Sequence, residues 1–216
     1  MKTYPKGKAV KLAKNFNSTE FDCHGRGCCS ETPIDEKLVE ILQKLREHFG
    51  ASVTVNSGYR CEKHNKNVGG ASKTSQHMKG KAADIVIRGV HPMRIARYLE
   101  SIGVNGRIGC YTYDDRNTGW VHVDTRGKKS RAIYLENNTD YENVDTFCPV
   151  IEKGSKGSAV AVVQRKLKSL GYYNDSIDGK CGPNMAKAIV LFNSYHGRTQ
   201  DGKWGPKCWE EAFPIK

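Results

Sequence analysis

The sequence predicts an α+β fold for residues 1–149, followed by a small three-helix domain over residues 150–216. Three observations lead to this prediction. In the first part, short apolar segments with the alternation of strands are interspersed with amphipathic helical segments. The stretch 151–157 is rich in glycine and lysine and is expected to join the two domains. In the second part, an Asp-Gly-Lys-x-Gly-Pro motif at residue 178 recurs at residue 201.

The first predicted helix covers Asp35–His48, where leucine and isoleucine residues recur at the spacing of one helical face. Thr32 is expected to cap its N-terminus, with Pro33 at the first helical position, and Gly50 marks its end. The remaining elements predicted for this part are a second helix at Pro92–Ile102 and four strands, at Ser52–Asn56, Asp84–Ile87, Arg107–Tyr111 and Trp120–Asp124.

Two further helices are predicted in the second part, at Val160–Leu170 and Met185–Asn193. Each copy of the repeated motif reads as an Asp-Gly turn followed by a glycine and a proline suited to starting a helix. Two copies are too few for a solenoid, so a compact module with internal pseudosymmetry is expected.

Five aromatic residues of the second part divide into two groups. Trp209 and Phe213 are at helical spacing and are assigned to the core. Tyr172, Tyr173 and Trp204 remain open between two roles, because each is able either to stack on sugars or stem peptides at the surface or to fill a small core.

The chain has 216 residues and a formal net charge of +12, with 35 Lys and Arg against 23 Asp and Glu. Such a charge favours polyanionic partners such as nucleic acid, an acidic membrane surface or the bacterial wall. Nucleic acid is the least favoured of these, because the basic residues form neither a helix stripe nor an aromatic-basic motif. No apolar run reaches the roughly 20 residues of a membrane span. The segment 1–16 is basic but lacks the apolar stretch of a signal peptide.

The chain contains eight cysteines, an unusually high number for its length. Cys23, Cys28 and Cys29, with His24 and Cys61, are candidates for a second, structural zinc site. Their irregular spacing favours a disulfide or free thiols instead. The sequence leaves the state of these thiols open.

His77, Asp84 and His122 are the candidate ligands of a catalytic metal. Two imidazoles and a carboxylate form the ligand set of a catalytic zinc site, which leaves a fourth position for water. His122 and Asp124 fall on one face of a predicted strand, so Asp124 is a candidate either to orient an imidazole or to take a proton from that water. The alternative for each residue is an ordinary surface, capping or hydrogen-bonding role, since no H-E-x-x-H or paired C-x-x-C motif is present.

Four ordered motifs between roughly residues 15 and 135 resemble the M15 family of zinc peptidases. They are Ser57-Gly58-Tyr59-Arg60, Val68-Gly69-Gly70-Ala71, the S-x-H-x-x-G-x-A-x-D run from Ser75 to Asp84, and His122-Val123-Asp124. That family includes D-alanyl-D-alanine carboxypeptidases and phage peptidoglycan endopeptidases, and it shares its fold with the Hedgehog signalling domain. The resemblance therefore implies a Hedgehog-like zinc domain that acts on peptidoglycan peptides.

The resemblance also implies roles for individual residues around one zinc ion. The implicated residues are the zinc ligands His77, Asp84 and His122, the carbonyl-steadying Arg60, and the cleft residues Ser75 and Gln76. A fixed cation such as an arginine suits a position beside a developing oxyanion.

One position departs from the family pattern. Many members place a general base three residues before the last zinc histidine, and Gly119 occupies that position here. The H-x-D variant of the family suggests Asp124 as the catalytic substitute, and the alternative is that Asp124 only supports a ligand.

Residues 151–213 resemble the three-helix peptidoglycan-binding module found beside many cell-wall hydrolases. The resemblance lies in the Lys156–Val160 segment and in the Asp178-Gly179 and Asp201-Gly202 turns with their following Gly-Pro pairs. Together the two resemblances imply an endolysin-like zinc peptidase anchored to bacterial peptidoglycan. A monomer is expected. The alternatives are a D-Ala-D-Ala carboxypeptidase and a wall-binding protein without activity. With no readable signal peptide, a phage lysin held in the cytoplasm until release is expected, or an enzyme exported by another route.

Overall fold

The structure, a computed structural model, describes residues 1–69, 71–114, 118–135 and 141–215. Gly70 of the second M15-like motif lies outside these residues. The strands are β1 (Lys2–Pro5), β2 (Lys11–Ala13), β3 (Phe16–Asn17), β4 (Glu31–Ile34), β5 (Val53–Ser57), β6 (Ala82–Ile87), β7 (Arg107–Thr112), β8 (Gly119–Asp124), β9 (Ser130–Tyr134) and β10 (Tyr141–Val144). The α-helices are α1 (Glu36–Phe49), α2 (Glu62–Lys66), α3 (Pro92–Ser101), α4 (Ser158–Ser169), α5 (Pro183–Tyr195) and α6 (Pro206–Ala212). Two 3-10 helices cover Ser18–Phe21 and Gln76–Lys79.

Six strands form the central sheet of the first part, in the order β10-β9-β7-β8-β6-β5. Strands β7 and β9 are parallel, and the other neighbouring pairs are antiparallel. Helices and a mixed sheet therefore form one core, and the predicted α+β class is confirmed.

The alternation of β8 separates the core from the site. Val121 and Val123 are completely buried and belong to the hydrophobic core that also contains Leu42 of α1 and Leu99 of α3. His122 lies between the two valines and points to the opposite face, because successive side chains in a strand alternate. In β8, the two valines therefore face the core formed with the helices, and His122 lies on the opposite face of the sheet.

The start of α1 differs from the prediction. Thr32 and Pro33 lie in β4 and pair with Tyr4 and Thr3 of β1, so Thr32 does not cap the helix. Asp35 is the N-cap, and its carboxylate accepts a hydrogen bond from the backbone N–H of Lys37 at 3.3 Å. The local sequence supports either start, and pairing with the distant β1 strand decides between them.

The other predicted helices and strands of the first part are present with ends shifted by a few residues. The sequence did not predict the small β1–β4 and β2–β3 sheets, or strands β9 and β10 at the edge of the central sheet. These strands are only two to five residues long. Such short segments carry too little alternation to be recognised locally.

The second part is the expected three-helix unit, formed by α4, α5 and α6. Trp209 and Phe213 lie in its core, as predicted. Trp204 is also completely buried, and Tyr173 is almost so, with its hydroxyl donating a hydrogen bond to the carbonyl oxygen of Ser176 at 3.0 Å. Neither ring is therefore available to stack on a sugar, whereas Tyr172 is half-buried.

Arg97 of α3 connects the two parts. Its guanidinium donates hydrogen bonds to the carbonyl oxygens of Trp209 (2.8 Å) and Phe213, and it pairs with Glu210 at 3.0 Å. The hydrophobic core is continuous from the sheet into the helical unit. The boundary between residues 149 and 150 stays a prediction.

Within the described residues, no helix combines the length and the apolar character needed to cross a membrane.

Candidate metal centre

His77, Asp84 and His122 converge on the polar face of the sheet. Nε2 of His77 lies 3.3 Å from Oδ1 of Asp84, and Nδ1 of His122 lies 2.8 Å from the same oxygen. One potential ligand atom from each residue lies within 4.8 Å of the others. The structure therefore brings together the three residues that the sequence singles out as metal ligands.

Each candidate ligand lies on a different element. Asp84 in β6 and His122 in β8 are direct cross-strand partners in the sheet register. His77 lies in the 3-10 helix Gln76–Lys79, and the Ser75 hydroxyl caps this helix by accepting the backbone N–H of His77 at 3.3 Å. The strand pairing and the cap fix the backbone positions of the three residues.

A backbone carbonyl sets the tautomer of His77. The side chain is buried, and its Nδ1 lies 2.7 Å from the carbonyl oxygen of Gly58. A carbonyl only accepts, so Nδ1 carries a proton and Nε2 is the nitrogen that faces Asp84 as the candidate ligand atom. This is the arrangement by which ligand histidines are oriented in metal sites.

His122 lies between two carboxylates. Its Nδ1 faces Asp84, and its Nε2 lies 3.2 Å from Oδ2 of Asp124. Burial disfavours the charged imidazole, but the hydrogen bonds to Asp124 and Asp84 outweigh it and raise the pKa of His122. Burial likewise opposes ionisation of Asp84, yet hydrogen bonds from His122 and His77 hold the pKa of its carboxyl well below the usual range.

These residues form a possible His/Asp metal site, and their donor set fits zinc. Two imidazole nitrogens and one carboxylate oxygen are available on a common centre, and each histidine has a partner on its other nitrogen. Zinc takes such mixed nitrogen and oxygen ligands, and three protein ligands leave a position for water.

Asp124 is fully buried and heavily hydrogen-bonded. Its Oδ1 accepts the backbone N–H groups of Arg107 (2.8 Å) and Arg126 (3.2 Å). Its Oδ2 faces His122 and the guanidinium of Arg126, whose Nε lies at 2.7 Å. These contacts favour the orienting role for Asp124 that the sequence left open, while its role as a general base stays a prediction.

Arg60 and Ser75 lie next to the ligands. Nη2 of Arg60 lies 3.4 Å from the Ser75 hydroxyl, and its backbone N–H donates to the carbonyl oxygen of His77 at 3.2 Å. Its buried Nε has no hydrogen-bond partner among the described residues. Burial lowers the pKa of Arg60, and Asp84 opposes this effect. Gln76 is half-buried beside His77. The roles of Arg60, Ser75 and Gln76 toward a substrate stay predictions.

Gly119 cannot carry the family's usual base without a local rearrangement. Its φ is +125°, and a Cβ at this position would overlap the carbonyl oxygen of Tyr111 on the neighbouring strand. The positive φ and this overlap both exclude a residue with a side chain at position 119 unless the backbone shifts. The missing carboxylate is therefore a consequence of how β7 and β8 pair.

An aromatic ladder, which the sequence did not reveal, extends from His122 across the sheet. Trp120 stacks on Tyr111 at a centroid distance of 3.5 Å, Tyr111 on Tyr134 at 3.8 Å, and Tyr134 on Tyr141 at 5.0 Å. Trp120 precedes His122 by two residues and shares its face. The four aromatic residues are visible in the sequence, but their alignment is not, because β9 and β10, which carry Tyr134 and Tyr141, were not predicted as strands.

The fold and the three-ligand site together define a candidate metallopeptidase. Residues 14–124 match the family described as "Peptidase M15", and residues 156–211 match the "Putative peptidoglycan binding domain". The chain belongs to the peptidase M15 family, and its C-terminal part is a peptidoglycan-binding type of module.

Two curated relatives are similar to parts of the chain. The "Probable peptidoglycan L,D-endopeptidase MepK" of Haemophilus influenzae is 31% identical over 99 residues, covering 43% of this chain and 50% of the relative. The "N-acetylmuramoyl-L-alanine amidase CwlL" of Bacillus licheniformis is 23% identical over 202 residues, covering 90% of this chain and 48% of the relative. The chain thus spans about half the length of these relatives.

Two solved structures share local similarity with this chain. A peptidoglycan-binding protein from Clostridioides difficile is 34% identical with a TM-score of 0.31, covering 34% of this chain and 46% of the other. The Burkholderia AP3 phage endolysin is 31% identical with a TM-score of 0.28, covering 30% of this chain and 24% of the other.

Proposed function

We propose that this protein is a zinc-dependent peptidoglycan peptidase that cleaves an amide bond of the stem peptide while its C-terminal module holds it on the wall. The observation that carries the proposal is the convergence of His77, Asp84 and His122 within the segment that matches the M15 family. The attached module and the names of the relatives support peptidoglycan as the substrate.

His77, Asp84 and His122 would hold the zinc ion. When bound, zinc supplies Lewis acidity and lowers the pKa of water toward about 7. The protein contributes the orientation of the ligands: Gly58 holds the His77 ring through Nδ1, and Asp124 holds the His122 ring through Nε2. We assign Asp124 a positioning role, because its two oxygens already accept hydrogen bonds from three other groups.

Arg60 is proposed to bind the carbonyl of the scissile amide. Its guanidinium lies beside Ser75, with Nη2 3.4 Å from the Ser75 hydroxyl. A fixed cation in a partly buried site stabilises negative charge that develops on the carbonyl oxygen. Ser75 orients this guanidinium, and Gln76 and the Trp120–Tyr111 stack are proposed to line the cleft.

The C-terminal module is proposed to raise the local concentration of substrate. A groove of about 680 Å³ lies between α5 and the second Asp-Gly turn. The residues lining it are Glu152, Lys153, Ala186, Lys187, Val190, Leu191, Gln200, Asp201, Gly202 and Lys203. Because the module and the peptidase part are joined in one chain, weak binding of each to the wall is sufficient.

Digestion of purified sacculi, followed by mass spectrometry of the released muropeptides, tests the proposal. The wild-type protein is expected to produce an internal cut in the stem peptide. His122→Ala is expected to produce none, and a chelator should abolish the wild-type reaction. Loss of only a terminal D-Ala would identify a carboxypeptidase instead, and unchanged muropeptides with retained wall binding would identify a protein that only binds.

A further inference from the structure

Four cysteines form a compact cluster outside the His/Asp site. Cys23, Cys28 and Cys29 lie on the loop after the 3-10 helix Ser18–Phe21, and Cys61 is the N-cap of α2. Their sulfur atoms all lie within 4.8 Å of one another. The Sγ atoms of Cys23 and Cys28 are 3.4 Å apart, and those of Cys28 and Cys29 are 3.7 Å apart.

These distances correspond to shared coordination and not to disulfides. Four thiolates placed tetrahedrally around zinc at about 2.3 Å have neighbouring sulfurs about 3.8 Å apart. A disulfide brings two sulfurs to about 2.05 Å. All eight cysteines are free thiols in the structure. We propose that Cys23, Cys28, Cys29 and Cys61 bind a second, structural zinc ion.

Backbone and side-chain donors surround the cluster as they do in thiolate metal sites. The backbone N–H of Cys61 donates to Sγ of Cys23 at 3.4 Å, and the N–H of His64 donates to Sγ of Cys61 at 3.4 Å. Nδ1 of His64 lies 3.2 Å from Sγ of Cys23. Hydrogen bonds of this kind stabilise the charge of ligating sulfurs and fix their orientation. His24, which the sequence included among the candidates, is exposed and contributes no ligand atom to the cluster.

Soft thiolate ligands select the metal. Four sulfurs in a tetrahedral arrangement suit zinc or an iron–sulfur centre, whereas carboxylate and water ligands suit magnesium and calcium. The four sulfurs lie within 4.8 Å of one another, a separation that suits a single ion at their centre. Zinc is therefore the assigned ion.

The ion would join two segments that position the candidate active site. One segment contains Phe21 and Cys23, and the other runs from Gly58 through Arg60 to Cys61. The backbone N–H of Tyr59 donates to the carbonyl oxygen of Phe21 at 2.8 Å, and a Cβ on Gly58 would overlap the Phe21 backbone. This close contact places the Gly58 carbonyl against His77. The structural ion thus stabilises the segment that orients a ligand of the other site and carries Arg60.

Metal analysis of the full-length chain, purified under reducing conditions, tests the proposal without any activity measurement. The wild type is expected to contain two zinc ions per chain. After cobalt substitution it should show the sulfur-to-cobalt charge-transfer bands and the intense visible bands of a tetrahedral tetrathiolate. Cys29→Ser should lose one of the two ions together with the charge-transfer intensity of four thiolates. Cys181→Ala, which removes a buried cysteine outside the cluster, should retain both ions and the full spectrum.

His122→Ala separates this proposal from the proposed function. It should lose the ion of the His/Asp site and keep the complete thiolate spectrum. Cys29 is half-exposed, so Cys29→Ser tests the site without altering a buried position. A wild-type cobalt spectrum without thiolate bands would overturn the structural site, as would a Cys29→Ser variant that retains two ions. An intact mass showing disulfides in the unreduced protein, with one ion per chain, would also overturn it.

Discussion

Nε2 of His122 lies 3.2 Å from Oδ2 of Asp124, on the side of the imidazole away from Asp84. The same oxygen of Asp124 faces the guanidinium of Arg126, and the other oxygen accepts two backbone N–H groups. Asp124 is thereby tied to the ring that it orients and has no contact with solvent. This arrangement makes the two possible roles of Asp124 distinguishable by experiment.

Asp124→Asn is expected to reduce zinc affinity about 10- to 100-fold, as the loss of a carboxylate partner of a ligand histidine does. The amide N–H₂ would face two donors, His122 and Arg126. Competition with a fluorescent zinc chelator measures the affinity. Arg126→Gln is the control, because it keeps the His122–Asp124 contact and should change affinity much less. Full zinc affinity combined with lost turnover would instead assign Asp124 the general-base role.

The sequence singles out His77, Asp84 and His122 by their residue types and by the motifs that resemble the M15 family, and the structure brings these three residues together. Asp84 follows His77 by one short loop, and His122 lies in a strand whose neighbouring valines show the alternation. The carbonyl of Gly58, which orients His77, could not be predicted from the sequence in this way. Its contact with His77 depends on how the chain around Phe21 packs against it, and no side-chain pattern records a backbone acceptor.

Long-range contacts explain both the prediction that was wrong and the questions that the sequence left open. Thr32 and Pro33 have the local signature of a helix start, and pairing with β1 draws them into a strand. Trp204 sits in a polar turn motif, and its burial depends on contact with Phe192 and Trp209 from two helices. The irregular spacing of the cysteines hides a cluster that forms only when Cys61 meets the N-terminal loop. In each case the deciding partner lies far away in the sequence.

Arg60→Ala is expected to reduce kcat about 10²- to 10³-fold, the loss seen when one donor to a developing oxyanion is removed. Zinc content should remain unchanged, because Arg60 is not a ligand. Arg60→Lys should recover only part of the rate, since an ammonium lacks the planar fork of the guanidinium. Steady-state kinetics on a soluble muropeptide measure these effects, with the exposed Lys79→Ala as control. An effect on KM alone would limit Arg60 to uniform substrate binding.

Arg97→Ala is expected to destabilise the folded chain by about 3 kcal/mol. The substitution leaves the buried carbonyl oxygen of Phe213 without a donor, at roughly 1–3 kcal/mol, and leaves that of Trp209 with only the backbone N–H of Phe213. It also removes the ion pair with Glu210. Urea unfolding followed by tryptophan fluorescence reports directly on this region. The exposed Arg88→Ala provides a control of equal charge change and should unfold like the wild type. Unchanged stability of Arg97→Ala would show that the contact with the helical unit contributes little.

Leu191→Glu is expected to weaken binding to purified sacculi, because it places a charge in the groove beside α5, where Leu191 is 53% exposed. Leu170→Glu is the matched control: it has the same change of side chain and net charge at a residue that is 46% exposed and does not line the groove. Co-sedimentation measures binding, and cleavage of soluble muropeptides should be equal for both variants.

Salt separates the contribution of the groove from that of the overall charge of +12. Screening shortens the Debye length from about 10 Å at 0.1 M to about 3 Å at 1 M ionic strength. Wild type and Leu170→Glu should therefore lose binding in parallel as salt rises, while the deficit of Leu191→Glu relative to them persists. If the two variants bind sacculi equally weakly at low salt and both regain wild-type binding at high salt, charge alone explains the loss of binding. That result would contradict a binding role for the groove.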